Sequence, residues 1–273
     1  MVFEQTFYNF MVYMYALSLL FFSADLFGRK NPLAKQVGTG LLTFVWVLQS
    51  LFFIFRVSAT TYIPVYSMFE TLFFLAWILG TLSLILLLVF RMDWIFFFVS
   101  VSAFCFLLSS LFFNPAAAIE STAEWHQEEP FIFIHILFAL SGYSIFALGA
   151  IFSGTYLFLH RKLKQKKWSA LLNKLPSLDR IDAYAFRSVV AGAGLLVLSL
   201  LFALIWIIII GDLSMLMDVK VGSTIGLLIM YVVYVLLHYR RGTSGKRRAW
   251  LNVCCSGVLL LNLFVVNYVS SLH

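Results

Sequence analysis

Apolar residues fill this chain in long blocks, separated by short polar stretches that carry Lys, Arg, Glu, Asn, Gly and Pro. Eight blocks stand out, at residues 7–27, 37–55, 64–90, 94–113, 131–160, 184–210, 222–239 and 249–271. A helix needs about 20 apolar residues to cross the hydrocarbon core of a bilayer, and each block comes near or above that length. The pattern predicts an all-α, polytopic membrane protein with eight transmembrane helices in a single transmembrane domain over 1–273. Two polar interruptions are longer than the others. Residues 114–130 hold Glu120, Glu124, Glu128 and Glu129, and residues 161–182 form a basic connector.

The charges give these segments an orientation. Of the 19 Lys and Arg residues, 17 lie in the connections after the first, third, fifth and seventh segments, counting Arg187 just inside the sixth. Only Arg56 and Lys220 lie on the opposite side. The positive-inside rule makes the basic connections cytoplasmic and leaves both termini on the outer side. The outer stretches carry Glu4, Glu120, Glu124, Glu128, Glu129, Asp212 and Asp218. Trp94, Trp125, Trp168 and Trp250 fall at segment ends, where interfacial aromatics belong.

Composition removes the soluble alternatives. The chain is 62% hydrophobic and 11% charged, with a mean hydropathy of +0.97. A soluble domain of this size needs more polar surface. The net charge of +7 would point to nucleic acid in a soluble chain. Here it reports orientation and contact with anionic lipid, and no nucleic-acid partner is expected. The first segment has no basic n-region and no A-x-A site, so it is expected to be a retained helix. Cys105, Cys254 and Cys255 all lie inside predicted helices and form no C-x-x-C, so packing is expected of them and thiol exchange is not.

The segment 131–160 is the unusual one. It carries His135 one turn in from the outer side and His160 at the inner end, roughly 37 Å apart along a continuous helix. The two cannot serve one site. His273 lies at the outer end of the eighth segment and His238 at the inner end of the seventh, which gives one candidate site at each face. His126, in the polar stretch WHQEEP, reads as a solvated residue. Imidazole ligates iron well and can fill both axial positions of a haem. The plainer reading makes each histidine an interfacial residue, half buried and half wet. Ala139, Gly142, Gly149 and Ser153 follow His135 at helical spacing. Such a stripe means close helix packing or room for a flat ligand.

Two intramembrane acids need partners. Glu70 is placed about two turns from the outer side, with Arg56 at similar depth as its first-choice partner; a structural ion pair and a haem-pocket contact both fit it. Asp25, near the inner end of the first segment, is expected to pair with a nearby Lys or Arg. No Ser-His-Asp arrangement, phosphate loop or H-E-x-x-H occurs, so no enzymatic activity is expected.

Several stretches resemble the cytochrome c assembly family of haem-handling membrane proteins, the CcsA, ResC and CcmC-like group. PVYSMFETLFFLAW (64–77) resembles that family's P-x-S-N-x-Y-E segment and the apolar run after it. FIHILFALSGYSIFALGAIFSGTYLFL (133–159) resembles its histidine-bearing helix. MDVK (217–220) resembles the W-D-P-K end of its tryptophan-rich motif. VYVLLHYR (233–240) resembles the helix with an inner-side histidine, and LNLFVVNYVSSLH (261–273) resembles the closing helix. The resemblance covers the third to eighth segments.

It implies a non-covalent b-type haem, with His135 and His273 as outer axial ligands. It sets His238 at an inner-side histidine and leaves His160 without a counterpart; their shared place at the inner helix ends keeps the two as a possible inner site, and Glu70, Met217 and Asp218 are further cofactor-binding candidates. The chain departs from the family in its tryptophan-rich loop: Met215 and Met217 stand in place of tryptophans and Val219 in place of proline. A degenerate motif with short loops is most similar to the HemX branch, which accompanies haem-biosynthesis enzymes in Gram-positive bacteria. That branch implies a multi-pass protein of the bacterial plasma membrane that lowers the amount of glutamyl-tRNA reductase. The alternatives are a haem-delivery subunit for cytochrome c maturation and a haem-independent membrane scaffold. The connector 161–182, with Trp168, Leu171 and Leu172, is expected to lie on anionic lipid or to dock the reductase or a protease.

Overall fold

A computed structural model describes residues 2–28, 31–59, 65, 67–90, 92–113, 130–166, 175–211, 213–240 and 242–266. The fold is all-α. Among the described residues there are eight α-helices: α1 (Val2–Phe27), α2 (Pro32–Ala59), α3 (Met68–Leu88), α4 (Asp93–Ser110), α5 (Pro130–Lys164), α6 (Leu178–Ile210), α7 (Val219–Tyr239) and α8 (Gly245–Leu261). A short 3-10 turn, Leu213–Met217, precedes α7, and a π turn, Asn262–Val266, continues α8. Helices α1 to α7 are long and apolar enough to cross a membrane. Their outward faces carry large apolar side chains such as Leu201, Ile205, Ile208, Ile229, Val233 and Leu236. A surface of that kind is suited to lipid and not to water, so the chain is a multi-pass membrane protein.

The observed ends differ from the predicted ones where polar residues continue a helix. Helix α6 begins at Leu178 and not at 184, which moves Asp179, Arg180 and Asp182 from the connector onto the helix. Helix α2 runs from 32 to 59 in place of 37–55. Helix α3 starts later than the predicted 64. Ser67 caps it: its Oγ accepts the Glu70 N–H, and the Glu70 carboxylate accepts the Ser67 N–H, each at 3.2 Å. That S-x-x-E box satisfies two backbone donors and fixes the start. Glu70 therefore sits in the first turn of α3 and not two turns deep. Helix α4 ends at Ser110, three residues before the predicted 113. Within the predicted eighth segment, residues 267–271 lie outside the described residues.

The chain divides into two compact units, Met1–Glu129 and Pro130–His273. In the first, several polar groups that lipid cannot satisfy are paired between neighbouring helices. The Tyr8 hydroxyl donates to the Leu107 carbonyl at 2.5 Å and also contacts Ser110. Ser18 donates to the Gly38 carbonyl at 2.8 Å. The Trp46 indole donates to Thr81 at 2.7 Å and the Trp77 indole to Ser50 at 2.9 Å. At the other end, Lys35 pairs with Asp93 at 2.6 Å. Asp25 accepts the Asn31 N–H at 2.9 Å.

The second unit is built on α5 against α6. At their closest approach two glycines face each other: a Cβ on Gly142 would stand 3.2 Å from the Gly192 carbonyl. A Cβ on Gly192 would stand 2.9 Å from the Phe146 ring. Phe146 cannot yield easily, because it lies flat on Tyr231 of α7 with centroids 3.8 Å apart. Gly149 packs on Ser188 and Asn252, and Ser153 accepts a hydrogen bond from Asn252 at 2.8 Å. At Gly142, Gly149 and Ser153 the small-residue stripe is thus a helix-packing surface. Replacing Gly192 by Leu should lower stability by about 1–3 kcal/mol. Gly194→Leu, with nothing within 4 Å of its added carbon, should change little. Thermal unfolding in detergent micelles checks both.

Candidate haem-ligand site

His135 lies in the second turn of α5 and is half-buried. Its ring is held by Ser199 of α6, which is wholly buried. The ring Nδ1 lies 2.8 Å from the Ser199 carbonyl oxygen and 2.8 Å from the Ser199 Oγ. The same hydroxyl donates to the His135 carbonyl at 2.9 Å. These distances assign the tautomer. A bare Nδ1 lone pair would face the carbonyl lone pairs at 2.8 Å, which repel it, so Nδ1 carries the proton and donates. Nε2 then keeps its lone pair. An imidazole whose Nδ1–H is tied to a backbone carbonyl and whose Nε2 is bare has the usual arrangement of a metal-binding histidine. The residue set therefore fits an axial haem ligand at His135. The proposed second ligand, His273, lies outside the described residues, as do His126, Trp125, Trp168, Leu171 and Leu172.

Ser199 is the residue that sequence reasoning missed. The signal was faint: a single hydroxyl in the apolar run LLVLSLLFALIW. It is found by register. Helices α5 and α6 run antiparallel, and Gly142 meets Gly192; seven residues back along α5 and seven forward along α6 bring His135 to Ser199.

Around the start of α7 the candidates separate. Asp218 caps the helix, its Oδ1 accepting the Lys220 N–H at 2.7 Å. Met217 is 90% exposed at the end of the 3-10 turn. Lys220 is half-buried and lies within electrostatic reach of His135.

The two inner candidates occupy the opposite end of the same unit. His238 stacks on Phe186 with centroids 3.8 Å apart, and its buried Nδ1 has no hydrogen-bond partner among the described residues. His160 lies parallel to Tyr156 of its own helix at 6.0 Å. Asp182 and Arg248, paired at 2.5 Å, lie within electrostatic reach of both His238 and Tyr156. Each histidine is thus held against a different ring.

In the other unit, Glu70 is used twice. One carboxylate oxygen caps α3, and the other accepts from Arg56 Nε at 3.1 Å, with both side chains buried. The Arg56 guanidinium also lies over the Phe69 ring, 5.6 Å from its centroid. The expected Arg56 partnership is present. The three cysteines are free; Cys255 is buried in the core of the second unit, whereas Cys105 and Cys254 are exposed.

Comparison with known proteins gives a consistent result. The family model described as cytochrome C assembly protein matches residues 65–273. Protein HemX of Brevibacillus brevis is 35% identical to this chain over 257 residues, 93% of each sequence. Protein HemX of Bacillus subtilis (strain 168) is 32% identical over 262 residues, 96% of this chain and 94% of that one. No solved structure matches.

A buried ion pair broken on one side is strongly destabilising. Glu70→Gln keeps an oxygen for the cap but removes the carboxylate charge beside Arg56, and should cost about 3–5 kcal/mol of stability. Arg56→Met added to Glu70→Gln should recover part of that loss. Denaturant unfolding of the three purified proteins checks it.

Proposed function

Because this chain belongs to the cytochrome c assembly protein family, we propose that it is a haem-binding regulator of haem biosynthesis in the bacterial plasma membrane. Its action would be to lower the amount of glutamyl-tRNA reductase, as the resemblance to the HemX branch implies. The observation that supports haem binding is the clasp on His135: Nδ1 is tied to Ser199 and Nε2 is left to ligate. Bound haem supplies an iron whose axial positions accept imidazole nitrogens. In this reading His135 and His273 would be the residues that hold it. Both lie on the outer side of an eight-span topology with outer termini, in which α8 continued by its π turn is the last span.

The proposed role is one of binding and reporting, without catalysis. His135 stands near one end of α5, and the same unbroken helix runs from Pro130 to Lys164. Its last turn carries Arg161, Lys162 and Lys164. A shift of α5 at the haem end would therefore move the basic connector at the cytosolic end, where the reductase or a protease would dock. The family's name favours a second reading, haem delivery for cytochrome c maturation. Against it stands the loop before α7, where exposed Met217 occupies a tryptophan place of the family motif.

The purified protein should be pigmented, with the absorption spectrum of a haem held by two histidines. His135→Ala should lose at least nine-tenths of the haem; full retention contradicts the assignment. In a strain lacking the gene, glutamyl-tRNA reductase should accumulate while c-type cytochromes stay at wild-type level. Loss of the cytochromes would support delivery instead.

A further inference from the structure

At the inner end of the second unit α5 is longer than its three neighbours. Contacts along the helix show by how much. Gly142 meets Gly192 and Phe152 stacks on Tyr184, so Leu178, the first residue of α6, stands near the level of Tyr156. Phe146 lies flat on Tyr231, and α7 runs parallel to α5, so Tyr239 at the end of α7 stands near the level of Gly154. Gly245, the first residue of α8, is so close to Tyr156 that an added carbon would collide with the tyrosine hydroxyl. The three neighbours thus begin or end near Tyr156, whereas α5 continues to Lys164. Those eight further residues make about 12 Å of helix. The extension is cationic: Arg161, Lys162, Lys164 and Lys166 come with no acidic residue between Leu157 and Lys166. Arg161, Lys164 and Lys166 are exposed, and Lys162 lies over the Phe158 ring. Among the described residues none of the four has an ion pair. One or two cations suffice to oppose the negative end of a helix dipole, so four in six residues leave a surplus.

Depth decides which anion such an end meets. Tyr239 at the end of α7 and Trp250 in the second turn of α8 are exposed, and aromatics so placed mark the membrane surface. Lys164 is ten residues beyond the level of Tyr239, about 15 Å along the axis. The polar layer of a bilayer is only about 5–8 Å thick on each side. The end of α5 therefore passes through the headgroups and stands in water. We propose that it is a docking surface for an acidic segment of a cytosolic protein, whose carboxylates Arg161, Lys164 and Lys166 receive. This rests on the regulatory reading above and gives the partner in it a chemistry. The surface belongs to the same helix that carries His135, so partner and candidate haem ligand share one rigid element. The competing fate for these side chains is to turn back along the helix and reach anionic headgroups.

The full-length protein in nanodiscs, with and without phosphatidylglycerol in a phosphatidylcholine bilayer, distinguishes the two. A water-soluble acetylating reagent is added and the rate at each lysine is read by mass spectrometry. Lys164 and Lys166 should react at rates within about twofold in the two bilayers. A slowing of about fivefold or more by the anionic lipid overturns the proposal and assigns the end of α5 to headgroups. In phosphatidylcholine alone, a peptide of glutamates should shield the same two lysines, and failure to shield them also overturns it. The triple variant Arg161→Gln, Lys164→Gln, Lys166→Gln should bind that peptide about tenfold more weakly while unfolding at the wild-type temperature; wild-type affinity overturns the proposal. In cells the same variant should raise glutamyl-tRNA reductase as loss of the gene does. Normal reductase beside lost peptide binding leaves the acidic-partner surface standing and overturns the regulatory reading alone.

Discussion

The second unit depends on the contact between Gly142 and Gly192. Neither residue has a side chain, so α5 and α6 approach until the carbonyl of one helix meets the α-carbon of the other. That contact fixes the antiparallel register. Two helical turns along each helix, about 10 Å, the same register sets Ser199 opposite His135, and the serine clasps the ring. Phe146, one turn from Gly142, fills the groove beside Gly192 and stacks on Tyr231, which brings α7 against the pair. The geometry of the candidate ligand thus follows from a packing contact between residues with no chemistry of their own.

Lipid imposes the second constraint. A polar group in the hydrocarbon region cannot turn to water, so it must find a partner within the protein. In the first unit those partners are found between helices: indole to hydroxyl, tyrosine to carbonyl, guanidinium to carboxylate. Glu70 shows how thoroughly such a group is used. One oxygen caps a helix and the other holds Arg56. In the second unit the same demand places Asn252 on Ser153 and Asp182 on Arg248. At His135 one ring nitrogen is satisfied and the other is left able to ligate.

The existence of the long apolar helices was legible in the sequence, because apolar blocks near the length of a membrane span have few other uses. Their ends were less legible. Leu178 to Ala183 joins α6 although it carries three charges, since Asp179 and Arg180 face outward and Asp182 is paired with Arg248. The start of α3 could have been found, because Ser67 and Glu70 have the spacing of a capping box. The Arg56 partner of Glu70 was found from depth alone. His135 was singled out because histidine is rare in an apolar run. Its partner was not, because Ser199 is 64 residues away and one serine in an apolar helix carries no signal until the register is known. The stripe of small residues had two meanings in the sequence, and at Gly142 and Gly149 the facing helix decides for packing.

The central claim is that His135, with Nδ1 held by Ser199, presents Nε2 to haem iron. Electron paramagnetic resonance of the haemin-loaded protein tests it most directly. The wild type should give the low-spin ferric signal of two imidazole ligands. His135→Gly should give a high-spin signal, and added imidazole should restore the low-spin one by occupying the vacated place. A His135→Gly protein whose low-spin signal matches wild type before any imidazole is added would contradict the account.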